Sequence, residues 1–200
     1  ELVWFSQTKG MKIDFNQGLD ARLITHEVAE KISRMRTLCV RFSYDYKSLR
    51  RHVEKAIETI SSYGMRRRRI GVYILFNHLD TPDDLFERVK DVLNCGAIAV
   101  PLRYQPLDAL KYNNYVGPNW DEERLELFAR FRRVCGFGGV FPPYKWLVER
   151  FDTARSFDEA FQPPEKNGAS KIRAHKDYFK RWRKIQDWRT VLDQFLAKKW

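Results

Sequence analysis

The segment Ile70-Gly-Val-Tyr-Ile-Leu-Phe-Asn-His-Leu-Asp-Thr-Pro-Asp-Asp-Leu-Phe-Glu-Arg-Val-Lys-Asp-Val-Leu-Asn-Cys-Gly96 decides the fold. Ile70–Phe76 is apolar on both parities, the pattern of a parallel strand covered on both faces. Thr81-Pro82-Asp83-Asp84 then supplies an N-cap hydroxyl, a proline at the first helical position and two acids in the first turn. Proline loses no helical hydrogen bond there, and the acids complement the positive helix end. The predicted helix carries Leu85, Val89 and Val92 on one stripe and stops at Gly96. Ala97–Tyr104 (AIAVPLRY) follows as another strand, in which Pro101 demotes the centre or marks a bulge.

The same alternation extends toward the N-terminus. Met11–Asn16 reads as a strand closed by a turn at Gly18. Leu23–Ser33 reads as a helix with Thr25 as its N-cap, and Thr37–Ser43 (TLCVRFS) as a second strand. Ser48–Tyr63 is a strong amphipathic helix, with Leu49, Val53, Ala56, Ile57 and Ile60 at three- and four-residue steps and Gly64 at its end. Strand–helix–strand repeats with short connections predict right-handed crossovers and a parallel sheet. About four such units fit in the first 105 residues, whereas a closed eight-stranded barrel needs about 250. The expected fold class is therefore α/β: a partial (β/α) barrel with parallel strands, followed by a mostly helical C-terminal extension.

Beyond residue 105 the character changes. Tyr104–Trp120 is loop-like, Asp121–Val134 a helix capped by Asn119 or Asp121, Cys135–Pro143 a turn and Tyr144–Arg155 another helix. The division that follows is 1–116 for the partial barrel, 117–161 for a helical extension, 162–170 for a linker and 171–200 for a basic, aromatic C-terminal helix. The final 30 residues carry ten Lys and Arg against three Asp. They therefore hold most of a net charge of +11 in 200 residues (37 Lys and Arg, 26 Asp and Glu). Along them Phe179, Trp182, Ile185, Trp188, Leu192 and Phe195 keep helical spacing, flanked by Lys180, Arg181, Arg183 and Lys184. Core packing under a solvated basic face explains this pattern; binding of nucleic acid, phosphates on the cations and bases on exposed rings, is the functional alternative.

At 44 % hydrophobic and 32 % charged the chain can bury a core. Its apolar runs fall far short of the roughly 20 residues that span a bilayer, and the N-terminus shows no leader pattern. Three scattered cysteines, Cys39, Cys95 and Cys135, exclude a disulfide framework and fit a reducing, cytoplasmic setting with no membrane partner. The opening at Glu1, without a methionine, suggests a piece of a longer protein.

Ligands of parallel α/β sheets bind at the C-terminal ends of the strands. That rule selects Asn16, Gln17, Gly18 and Asp20 after the first strand, and Ser43 and Asp45 after the second. It selects Asn77, His78, Asp80 and Thr81 after the third, and Arg103, Tyr104 and Gln105 after the fourth. The plainer reading is that such residues are turn-formers and caps. No HExxH, CxxC, Gly-x-Ser-x-Gly or phosphate-binding loop occurs, and the cysteines lack metal-ligand spacing. Arg66–Arg69 precedes a strand, at the end of the sheet opposite this rim, and suits a solubilising or partner-docking role.

These pieces, in order, resemble the later part of a radical S-adenosylmethionine (radical SAM) domain over roughly residues 10–116. The resemblance rests on FNQGLDARLI (Phe15–Ile24), RFSYD (Arg41–Asp45), AIETISSYGM (Ala56–Met65), the quoted Ile70–Gly96 segment with Arg88 on its helix, and PLRYQPLDAL (Pro101–Leu110). It implies a partial barrel and a [4Fe–4S] cluster that cleaves S-adenosylmethionine to a radical. The cluster's CxxxCxxC loop is absent from this sequence. The ligands would come from a missing N-terminal segment or a complementing chain, and this chain alone would be inactive. The resemblance further implies that Ser43 and Asp45 face the ribose or amino group. Asn77 would flank adenine or ribose without the usual glycine, Arg103 and Tyr104 would lie at the adenine, and Gln17 and Asp20 on the substrate side. The competing reading is a non-catalytic binding module that uses the basic C-terminus on nucleic acid or an acidic partner.

Overall fold

A computed structural model describes residues 1–163 except Tyr112. The linker expected at 162–170, from residue 164 on, and the helix expected at 171–200 with Lys180, Arg181, Arg183 and Lys184 lie outside the described residues. The order is α1 (Leu2–Thr8), β1 (Ile13–Leu19), α2 (His26–Ser33), β2 (Thr37–Ser43), α3 (Arg50–Ser62), β3 (Ile70–Phe76), α4 (Pro82–Asn94), β4 (Ile98–Arg103), α5 (Glu122–Cys135), α6 (Lys145–Thr153) and α7 (Phe157–Ala160). Single 3-10 turns precede α2, α3 and β3. The four strands form one parallel sheet in the order β1-β2-β3-β4. The protein is thus α/β, with a parallel sheet and a helical region after residue 121.

Helix boundaries follow their caps. Thr25 accepts from the Val28 amide at α2, and Asp121 from the Arg124 amide at α5. At α4 the Thr81 side chain accepts from the Asp84 amide while Asp84 accepts from the Thr81 amide, a reciprocal capping box with Pro82 behind it. α1 and α7, short and weakly periodic, are elements that the sequence pattern does not announce.

Sequential strand order with parallel pairing places α2, α3 and α4 on one face, where α2 packs on α3 and α3 on α4. Val40, Phe42, Ile70, Val72, Ile74 and Phe76 point there and are 0–2 % exposed. The other parity is different toward the strand ends: Ser43, Tyr73, Leu75 and Val100 are only half-buried and Leu102 is exposed, while Cys39 and Ile98 nearer the strand starts are buried. The two-sided cover read from the apolar run of β3 is therefore realised on the second face only in part among the described residues. On the open face Arg41 is buried against the Asp14 carboxylate, which also accepts from the Cys39 thiol at 2.9 Å. Burial, reinforced by that carboxylate, pushes the Cys39 thiol up to about 12, so it packs as a neutral group.

Pro101 sits in β4 without a register shift, opposite Ile74. Ala99, two residues earlier, turns its amide outward to the Phe141 carbonyl at 3.0 Å, and Pro101 shares that outward orientation. The missing N–H therefore leaves the β3 ladder intact. Phe141 bonds back to Ala99 and shields this edge of the sheet. Around it Phe128, Phe131, Phe151 and Phe161 pack edge-on or tilted at 5.2–6.3 Å between centroids, and α6 and α7 pack on α4. No helix among the described residues is long and apolar enough to cross a membrane.

Candidate functional site

All four strands end at one rim, and the junction of β2, β3 and α4 forms a crevice there. Its volume is about 240 Å³, and its walls include Asp45, Lys47, Leu75, His78, Asp84 and Arg88.

Arg88 builds the floor. It projects from the second turn of α4, is 1 % exposed, and donates to the backbone carbonyls of Tyr44 (3.0 Å), Asp45 (3.0 Å) and Leu75 (2.8 Å). Its second terminal nitrogen lies 2.6 Å from the Asp80 carboxylate. One guanidinium therefore ties the ends of β2 and β3 to the turn before α4, work that needs its planar fork of donors. Desolvation lowers the Arg88 pKa, and the Asp80 carboxylate opposes this. Asp80 also accepts from the His78 amide at 3.0 Å and the Trp120 indole at 3.3 Å, so both of its oxygens serve the turn.

Asp45 lines the crevice. Burial raises its carboxyl pKa, and Arg88 partly opposes the shift. Lys47 bridges Asp84 at 2.8 Å and Glu87 at 2.7 Å, which raises its own pKa. The crevice thus combines a partly desolvated carboxylate, a compensated cation–acid cluster and the apolar wall of Leu75.

The remaining rim residues fall into two groups. Asn77, fully buried at a φ of 66°, donates its amide nitrogen to the Tyr115 carbonyl at 2.9 Å and accepts from the Gly117 amide at 2.8 Å. Arg103 donates to the same Tyr115 carbonyl at 2.8 Å. Both side chains clamp the 104–120 loop onto the rim. Gly117 must lack a side chain, because a Cβ there would lie 2.7 Å from the His78 carbonyl oxygen. Tyr104 stands between His78 and Tyr115, with ring centroids 4.3 and 5.4 Å away. Beside the loop, both polar atoms of the Gln105 amide and Nε of Arg103 are buried without partners among the described residues.

Ser43, Gln17 and Asp20 belong to the β1 side. Ser43 Oγ and the Tyr73 ring sit so close to Gly18 (φ 81°) that a Cβ there would be 2.7 Å from Oγ. Gln17 is exposed and, among the described residues, reaches only the Asn16 side chain at 3.4 Å. Asp20 caps a 3-10 turn and pairs with Arg22 at 2.7 Å, and the Arg22 hydrogen bonds hold its carboxyl at about 2. Neither lines the crevice.

The structure therefore brings Asp45 together with His78, Asp80 and Arg88, and groups Asn77, Arg103 and Tyr104 at the loop. The Lys47–Asp84–Glu87 cluster escapes sequence reading, because its partners come from separate elements and only the acidic first turn of α4 is a visible cue. Cys39, Cys95 and Cys135 lie on separate elements, and burial raises their thiols to about 12, 11 and 12. Among the described residues no group of three or more His, Cys, Asp or Glu could hold a metal ion.

No family model, curated protein or solved structure matches this chain.

Proposed function

We propose that the rim of the sheet is part of a binding pocket for S-adenosylmethionine in a radical SAM protein, and that the sheet is an arc of a partial barrel. The observation that carries this reading is the crevice at the ends of β2 and β3, with the half-buried Asp45 in its wall. At 240 Å³ it is smaller than the roughly 300–1,000 Å³ of ordinary ligand pockets, as half of a larger pocket would be. Asp45 would attract a ligand's ammonium or sulfonium charge, with a strength that partial desolvation increases. Arg88, at the floor, positions the backbone on both sides of the ligand. Leu75 would lie against the ligand's apolar part, and Tyr104 with His78 would flank a flat ring.

The three thiols described here do not suit a [4Fe–4S] cluster, being dispersed and held neutral by burial. Any cluster would be carried by another segment or a complementing chain. The outer edge of β1 supports that arrangement. A groove of about 620 Å³ runs along it, lined by Leu2 and Val3 of α1 together with Phe15, Leu19, Leu23 and Val28, with Leu23 68 % exposed. A preceding strand and helix of the same barrel would cover such an edge.

Calorimetric titration with S-adenosylmethionine tests the pocket. Asp45→Ala is expected to weaken binding at least about tenfold, the loss of a charge-assisted contact, with little change in the fold. Equal affinity of wild type and variant, or no binding to the wild type, contradicts the assignment.

A further inference from the structure

The opposite pole of the sheet, where the strands begin, carries charge of one sign. Lys9 and Lys12 precede β1, Arg34 and Arg36 precede β2, and Arg66–Arg69 precedes β3; all of them are exposed. The loops 9–12, 34–36, 63–69 and 95–97 contain no Asp or Glu. Among the described residues none of these eight cations pairs with a carboxylate; Arg36 and Arg67 instead donate to the Gly10 and Cys95 carbonyls, each at 3.0 Å, and tie neighbouring loops together.

Cations often sit here only to complement helix ends. Four helix C-termini at this pole supply about half a negative charge each, and Glu30 and Glu58 stand one turn back on α2 and α3. Set against eight cations, that still leaves an excess of about four positive charges. Between the loops lies a recess of about 320 Å³, edged by Arg66, Arg69, Thr37 and Tyr63. Beside it α1 exposes Trp4 (53 %) and Phe5 (42 %), and Lys9 lies over the Trp4 ring at 5.8 Å. α1 is anchored to the pole because the Arg36 amide donates to Ser6 Oγ at 2.7 Å and Gln7 to the Arg34 carbonyl at 3.2 Å.

We propose that this pole binds single-stranded nucleic acid, with the arginines on backbone phosphates and Trp4 and Phe5 as stacking platforms. Six of the eight cations are arginines, whose fork matches a phosphate in two hydrogen bonds. Exposed rings beside a basic surface are the usual means of holding bases without reading sequence. A membrane surface is the weaker match, since α1 spans only seven residues and Ser6 faces inward. This surface lies at the end of the sheet opposite the rim crevice.

The test is fluorescence anisotropy of a labelled oligodeoxythymidine with the whole chain at several salt concentrations. The variant Arg66→Ala/Arg68→Ala/Arg69→Ala is expected to lose at least about tenfold in affinity at low salt. The slope of log K against log salt is expected to fall by about 2, as loss of three phosphate contacts requires. A variant lacking three cations elsewhere, Arg130→Ala/Lys145→Ala/Arg155→Ala, is expected to stay within about twofold of wild type on the same scale. If the triple variant does not fold, Arg66→Gln/Arg68→Gln is expected to lose several-fold. Wild-type affinity in the pole variant overturns the proposal, and so does its retention there alongside loss in Lys180→Ala/Arg181→Ala/Arg183→Ala/Lys184→Ala. Absence of binding at low salt, or binding to phosphatidylserine vesicles and not to the oligonucleotide, overturns it too.

Discussion

Asp45 and Asn77 end neighbouring strands, and the fold uses them differently. Asn77 spends both halves of its amide on the 104–120 loop and holds a positive φ that few residues other than glycine tolerate. Asp45 is left facing the crevice with a carboxyl pKa raised by burial. A carboxyl whose pKa is higher in the folded state than in the unfolded chain holds its proton longer when folded. Its contribution is therefore most favourable in acid and is lost as pH rises through the folded pKa. Asp45→Asn is accordingly expected to raise the melting temperature near pH 7 and to leave it unchanged near pH 3, where the native carboxyl is itself protonated. A lower melting temperature for the variant near pH 7, measured by circular dichroism, contradicts the burial described here. Sequence alone lists Asp45 and Asn77 as equals at strand ends, because their division of labour depends on Gly117 and Tyr115, some 40 residues away.

At the scale of elements, β3 and α4 are legible in the sequence because local chemistry determines them. The capping box at Thr81 and Asp84, the proline behind it and the run Ile70–Phe76 all act within a few residues. β4 is harder. Pro101 is ambiguous until the edge position and the Phe141 bridge show where its missing N–H points. The exposure of Tyr73 and Leu75 is harder still, since apolarity on both parities reports a tendency and not which layers are present. The helix-facing parity of β3 is the firmer part of the reading. Ile74 is fully buried between β2 and β4, and Ile74→Ala is expected to cost about 2–5 kcal/mol in a urea unfolding experiment. A loss under about 1 kcal/mol would place β3 at a yielding edge and contradict the sheet order.

At the scale of the molecule, residues 1–163 have two chemically opposed poles. The C-terminal rim gathers a half-buried carboxylate, an arginine-tied floor and aromatic rings into a small crevice, while the N-terminal pole gathers unpaired cations. The parallel sheet enforces the separation, because every strand starts at one pole and ends at the other. The rim was legible from the sequence as a set of strand ends, but its subdivision was not. Gln17 and Asp20 end β1 yet turn toward its outer side, where Arg22 holds Asp20. The function assigned to the rim is tested most directly by NMR amide shift mapping of the whole chain during titration with millimolar S-adenosylmethionine. Saturable shifts are expected at residues 43–47, 75–80 and 103–105, with residues 34–36 and 66–69 unmoved. Shifts confined to the basic pole, or none at all, would contradict it.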